Sequence, residues 1–174
     1  MSRINVACVS AALLTAIALF LLRGFPSLPI WAMFITWACF FHLGGDESPG
    51  ASFRNTVIHL GFGVVTAWLS ALLLLANPWA EGLLNQLWGP FIIGVAIGIL
   101  VRLSVIGYFA VTPAIIYGYA SVWAYLSTSG YFSLQVLQSV SMQNVVIAIP
   151  LCILMGACMG FINSRMVMLI APKP

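Results

Sequence analysis

Apolar runs of about 16 to 23 residues recur along this chain without strict alternation of apolar and polar positions. In lipid every backbone N–H and C=O must find its partner within the spanning element, so only helices or a closed barrel cross a bilayer. The length of the runs and the lack of a two-residue period select helices. Composition leaves no rival solvent. The 174 residues are 63% hydrophobic and only 5% charged, with six basic and three acidic residues and a mean hydropathy of +1.12. A soluble domain carries about 25% charged residues. The expected fold is therefore an all-α polytopic membrane protein forming a single membrane domain over residues 1–174. The six basic residues are scattered and build no patch, so the net charge of +3 points to no nucleic acid.

Six spans are expected. The first covers residues 4–22. A signal peptide is its rival, since Arg3 precedes an apolar core, but the next apolar run starts at once after Arg23 and the short turn beyond it, so a helix is expected. The second is Pro29 to Gly45, read as P-I-W-A-M-F-I-T-W-A-C-F-F-H-L-G-G. The third is Asn55 to Ala76. Pro90 to Val101 begins the fourth, which Arg102 interrupts, and Leu103 to Val111 is either a re-entrant connection or the end of a tilted fourth helix. Pro113 to Leu126 is the fifth, Ser127 to Gln143 a polar loop, and Asn144 to Asn163 the sixth. Trp79 and Trp88 are placed to anchor an interface. Cys8, Cys39, Cys152 and Cys158 lie in apolar segments with no metal-like spacing and are read as small packing residues.

The second span is the most informative. A helix of about sixteen residues rises roughly 24 Å, short of the roughly 30 Å hydrocarbon core. A weaker copy runs from Thr112 to Thr128, T-P-A-I-I-Y-G-Y-A-S-V-W-A-Y-L-S-T, and both copies open on proline. Each half of the chain reads helix, turn, Pro-led aromatic helix, polar loop, then an Asn-led helix at Asn55 or Asn144. Two half-repeats, roughly 1–76 and 88–168, follow, and an odd number of spans in each inverts them. With six spans, Arg3, Arg54, Arg102, Arg165 and Lys173 fall on one side and Arg23 alone on the other. The positive-inside rule then makes both termini cytoplasmic.

Few residues offer chemistry. His42 and His59 lie near the same end of sequential antiparallel spans. They fit a pH-sensitive gate, a proton relay, a pair of haem ligands, or two ordinary hydrogen-bonded interfacial imidazoles. Arg102 is read as a topology anchor that snorkels to headgroups, or else as a cavity-lining cation. Asn55 and Asn144 cap helices, or offer amides to a solute at two related positions. Trp31, Thr36, Trp37, Phe41, Tyr117 and Ser121 supply rings and hydroxyls suited either to lipid and helix packing or to a narrow path for a small neutral solute. The small-x-x-x-small pairs Gly94/Gly98 and Gly156/Gly160 permit close helix approach, inside the chain or in a homo-oligomer. No G-x-S-x-G, H-E-x-x-H, P-loop or dinucleotide fingerprint occurs, so neither an enzyme nor an ATP-driven pump is expected, and no cofactor.

The run from Pro29 to Gly45, the G-x-V-x-A-W of Gly63 to Trp68, the T-P-A-I-I-Y-G of Thr112 to Gly118 and the G-A-C-M-G-F of Gly156 to Phe161 together resemble the YcdZ-like bacterial inner-membrane proteins, a family of unknown function. The resemblance spans roughly residues 25–168. It implies a small multi-pass inner-membrane protein and carries no catalytic residues.

The leading expectation is a passive channel or facilitator for a small neutral or weakly acidic solute, with the path between the two Pro-led helices through Trp31, Thr36, Trp37, Phe41, His42, Asn55, His59, Tyr117, Ser121 and Asn144. A non-transporting membrane scaffold is the alternative, and a haem-binding electron carrier comes third. The expected partners are the lipid bilayer, a small solute and further copies of the chain.

Overall fold

The computed structural model describes residues 2–171, so Lys173 and the closing proline lie outside the described residues. Among these residues there are seven α-helices, one 3-10 turn and no strand. The helices are α1 Arg3–Leu22, α2 Ile30–His42, α3 Pro49–Leu75, α4 Gly82–Leu103, α5 Thr112–Ser129, α6 Leu134–Leu137 and α7 Val145–Ile170. Four of them, α1, α3, α4 and α7, are long and apolar enough to cross a membrane. The expected second and fifth spans stand apart. At 13 residues α2 rises about 20 Å, and α5, with 18 residues, is more polar than the four long helices.

Several expected boundaries move for local reasons. The third helix begins at Pro49, not Asn55, because proline suits a first helical position, where its missing N–H is no loss. Asn55 is therefore well inside α3 and caps nothing. The fourth helix starts at Gly82 and carries Pro90 within it, so Trp88 belongs to α4 and not to a loop. Its indole N–H donates to the Leu73 carbonyl at 2.9 Å, and its ring meets Trp79 edge-on with centroids 5.3 Å apart. Arg102 is exposed in the last turn of α4. Leu103 closes α4, and beyond it the chain makes the turn Gly107–Phe109, so residues 104–111 do not continue the helix. Within the expected loop 127–143 the short α6 forms, with Ser133 as its cap. Pro29 sits just outside α2 as its N-cap. Gly130, at a φ of 70°, ends α5 in the left-handed conformation that glycine adopts without strain.

The chain divides into two compact units, Met1–Ile58 with Pro150–Pro174, and His59–Ile149. The first unit holds α1, α2, the start of α3 and most of α7. Here α7 is the hub. Asn163 donates its amide to the Ala7 carbonyl at 3.3 Å and to Ser10 Oγ at 3.0 Å, tying α1 to α7 beside a cluster of Val6, Val167 and Ala171. On another side α7 meets α2 through Gly156 and Gly160. A Cβ on Gly156 would fall on the Met33 carbonyl oxygen, and one on Gly160 would overlap the Phe40 ring. Ser164 Oγ then donates to the Gly45 carbonyl at 2.7 Å, fixing the loop that follows α2.

The second unit holds the rest of α3, α4, α5, α6 and the start of α7. Its close approach is between α3 and α5. A Cβ on Gly118 would fall on the Leu60 carbonyl oxygen, and one on Gly63 on that of Ile115. The Trp68 indole N–H donates to the Leu137 carbonyl at 2.9 Å, fixing the segment that follows α5. Both units thus rest on helix crossings tight enough to require glycine, as expected where lipid removes any hydrophobic drive between helices.

Candidate functional site

In the first unit, α2 carries most of the residues expected to line a path, and they separate into two kinds. Thr36 is fully buried, but its hydroxyl donates to the Ala32 carbonyl one turn back at 2.9 Å. It packs against Gly156, so it is a crossing residue with its proton already committed. Trp37 differs. It is half-buried and lies parallel to Phe34 with centroids 6.4 Å apart, while its indole Nε1 is buried with no hydrogen-bond partner. Trp31 is half-buried, and Phe41 meets Phe40 edge-on at 5.2 Å. Thr56 on α3, absent from the expected set, is fully buried and its hydroxyl is likewise unpartnered.

The second unit repeats this division. Ser121 is buried and its hydroxyl donates to the Tyr117 carbonyl at 2.8 Å, so it too is committed within its helix. Tyr117 itself is 42% exposed, whereas Tyr119 is buried. The Tyr119 hydroxyl and the Trp123 indole Nε1 are buried without partners, and the two rings stand 6.1 Å apart, one turn apart on α5. Tyr119 and Trp123 are both absent from the expected set. The signal that marks them is register: counted from the helix starts, Trp37 is the eighth residue of α2 and Tyr119 the eighth of α5.

The remaining expected residues divide as follows. Asn144 precedes α7 and caps it, its Oδ1 accepting from the Val146 N–H at 3.2 Å. Its amide donates to the Leu137 and Ser139 carbonyls at 2.9 and 2.8 Å, so capping and loop closure use the whole side chain. Asn55 is half-buried on α3. His42 is exposed at the end of α2, while His59 is 4% exposed on α3, so the two imidazoles occupy different environments. Among the described residues no three His, Cys, Asp or Glu side chains gather in a group able to hold a metal ion.

The glycine pairs also part ways. Gly156 and Gly160 are buried against α2, the packing inside the chain that is one of the two uses expected of them. Gly94 and Gly98 on α4 are exposed, with open space where a Cβ would stand.

Four buried polar atoms without partners in so apolar a chain are costly. Each forfeits about 1–3 kcal/mol unless water or a ligand serves it. Two are indole N–H donors and two are hydroxyls, Trp37 and Thr56 in the first unit and Tyr119 and Trp123 in the second.

No curated protein and no solved structure matches this chain. Residues 8–167 match a family described as "Protein of unknown function (DUF1097)". The match takes in all seven helices, in whole or in greater part, and on that basis the chain belongs to this family of unknown function.

Proposed function

We propose that this is a six-span, non-enzymatic inner-membrane protein of one domain, built from two inverted three-helix repeats, that passes a small neutral or weakly acidic solute. Its kinship with the YcdZ-like inner-membrane proteins is part of that reading. The repeats are α1–α2–α3 and α4–α5–α7. Support comes from matching contacts. The seventh residue of α2, Thr36, packs on the twelfth of α7, Gly156; the seventh of α5, Gly118, packs on the twelfth of α3, Leu60. The twentieth residue of α7, Ser164, donates to the loop after α2; the twentieth of α3, Trp68, donates to the segment after α5. Each contact maps onto the other when the halves are exchanged. Inverted repeats with short Pro-marked helices are a common plan of transporters and channels.

The single observation that carries the solute path is the pair Trp37 Nε1 and Tyr119 OH, buried, unpartnered and at the same register of the two short helices. A solute that accepts from these donors satisfies them in a way that packing does not. The alternation of six spans puts Arg3, Arg54, Arg102 and Arg165 on one side and Arg23 on the other, which supports cytoplasmic termini.

The test is solute flux into liposomes followed by stopped-flow light scattering, with amides, short carboxylic acids and glycerol. Permeation above empty vesicles that falls in Trp37→Phe and Tyr119→Phe supports the path. No permeation with any of these solutes refutes it. The alternative, a scaffold or homo-oligomer joined through α4, is favoured by the open Gly94/Gly98 face. A stoichiometric partner that co-purifies, without flux, would select it.

A further inference from the structure

Between the start of α3 and the second half of α7 lies an apolar groove of about 300 Å³, lined by Gly50, Phe53, Cys158, Phe161 and Ile162. It exists because two of its five lining positions are small, a glycine and a cysteine, between rings that meet edge-on at 6.1 Å. Its volume is about ten times the roughly 30 Å³ that a water molecule takes in the liquid, too large for a packing flaw. Gly50, Cys158 and Ile162 are exposed, so the groove opens on the surface that lipid bathes. At its rim the Arg165 guanidinium lies over the Phe161 ring, 5.2 Å from the centroid. Arg54 follows Phe53 directly, and both arginines are exposed. The groove is therefore apolar along its length, Arg165 brings a cation to its rim, and Arg54 follows Phe53 in the second turn of α3.

We infer that this groove is a binding site for an anionic phospholipid, one acyl chain lying along Phe53, Cys158 and Phe161 and the headgroup phosphate at Arg165 and Arg54. In a bilayer, acyl chain is the medium at this face, so occupation of the groove by a lipid tail needs no special recognition. Headgroup charge is what the arginines select. A zwitterionic lipid brings its own ammonium beside two guanidiniums, whereas a lipid of net negative charge does not. Each basic side chain near an anionic surface contributes a preference of about fivefold, so the pair gives about 25-fold. The site is separate from the solute path and stands whether or not the protein transports.

The experiment is native mass spectrometry of the full chain in detergent with an equimolar mixture of phosphatidylglycerol and phosphatidylcholine of identical chains. The wild type is expected to retain phosphatidylglycerol with a preference on the order of 25-fold. The double variant Arg54→Gln, Arg165→Gln is expected to lose most of that preference while still holding lipid. Cys158→Trp, which fills the groove, is expected to retain less of both lipids. Size-exclusion profiles and circular dichroism check that the variants fold; should Cys158→Trp fail to fold, the arginine variants decide alone. Equal retention of the two lipids by the wild type, or an unchanged preference in the double variant, overturns the inference. So does a bismaleimide cross-link from Cys158 to Cys158 in nanodiscs, which would mean that a second copy covers the groove.

Discussion

Gly118→Ala tests the tight crossing of α5 on α3 directly. A Cβ at this position would stand 2.7 Å from the Leu60 carbonyl carbon and 2.8 Å from its Cα, and closer still to the carbonyl oxygen. Comfortable carbon–carbon separations are about 3.5–4.0 Å, so the helices must part by about 1 Å. Every obstructing atom is backbone, so no side chain can rotate away. Parting the helices also loosens the reciprocal contact, where Gly63 meets Ile115 and Tyr119. Overpacking typically costs about 1–3 kcal/mol, and this site belongs at the upper end because both surfaces are rigid. For a chain of this size each kcal/mol moves the melting temperature by about 2–4 °C, so a drop of about 6–12 °C is expected. The assay is thermal unfolding in detergent, followed by tryptophan fluorescence and by loss of the monodisperse size-exclusion peak. Gly94→Ala is the matched control, since nothing stands within 4 Å of its Cβ. There alanine's better helix propensity leaves stability unchanged or slightly raised. If Gly118→Ala melts with Gly94→Ala and the wild type, the close crossing of α3 and α5 is wrong.

Other substitutions probe the remaining contacts. Gly156→Ala is expected to lower the melting temperature comparably to Gly118→Ala, because it meets the Met33 carbonyl and Thr36 in the same manner. Ser164→Ala removes the buried donor to the Gly45 carbonyl and is expected to cost about 1–3 kcal/mol in the same melt, since that buried carbonyl loses its side-chain donor. Asn144→Ala removes both the α7 cap and two bonds to the preceding loop, and is expected to cost about 2 kcal/mol and to speed proteolysis between α6 and α7. Intact-mass analysis after brief N-ethylmaleimide treatment in detergent is expected to show two adducts. Cys8 and Cys158 are exposed, while Cys39 and Cys152 are buried. Four adducts without denaturant would contradict the packing of α2 on α7.

What the sequence makes legible is what lipid itself dictates. Charge scarcity and run length are enough for helices, and α1, α3, α4 and α7 follow from them because a long apolar run has no other stable form in a bilayer. The short Pro-led stretch is legible for the same reason, since proline and aromatic rings mark where a helix begins and what surface it shows. Helix ends are less legible, as α3 illustrates. Gly44 to Gly50 is dense in turn residues, yet Pro49 opens the helix and Asn55 becomes an interior residue. The capping preference of asparagine misleads here, because proline, six residues earlier, has the stronger claim to a first helical position.

The candidate site is less legible still, because sequence reveals which residues have polar atoms but not which of those atoms are already occupied. Thr36 and Ser121 are apt pore-lining types, and both spend their hydroxyl protons on the carbonyl one turn back, the usual fate of such residues inside an apolar helix. Asn144 spends its side chain on a cap and a loop. Trp37 and Tyr119 have no such local outlet: an indole or phenol reaches too far from its own backbone to bond one turn back. Trp37, Tyr119 and Trp123 on the short helices therefore hold polar atoms that packing leaves unserved, as does the Thr56 hydroxyl on α3. Under the proposed solute path, Trp37 and Tyr119 are therefore better placed than Thr36 and Ser121 to meet the solute.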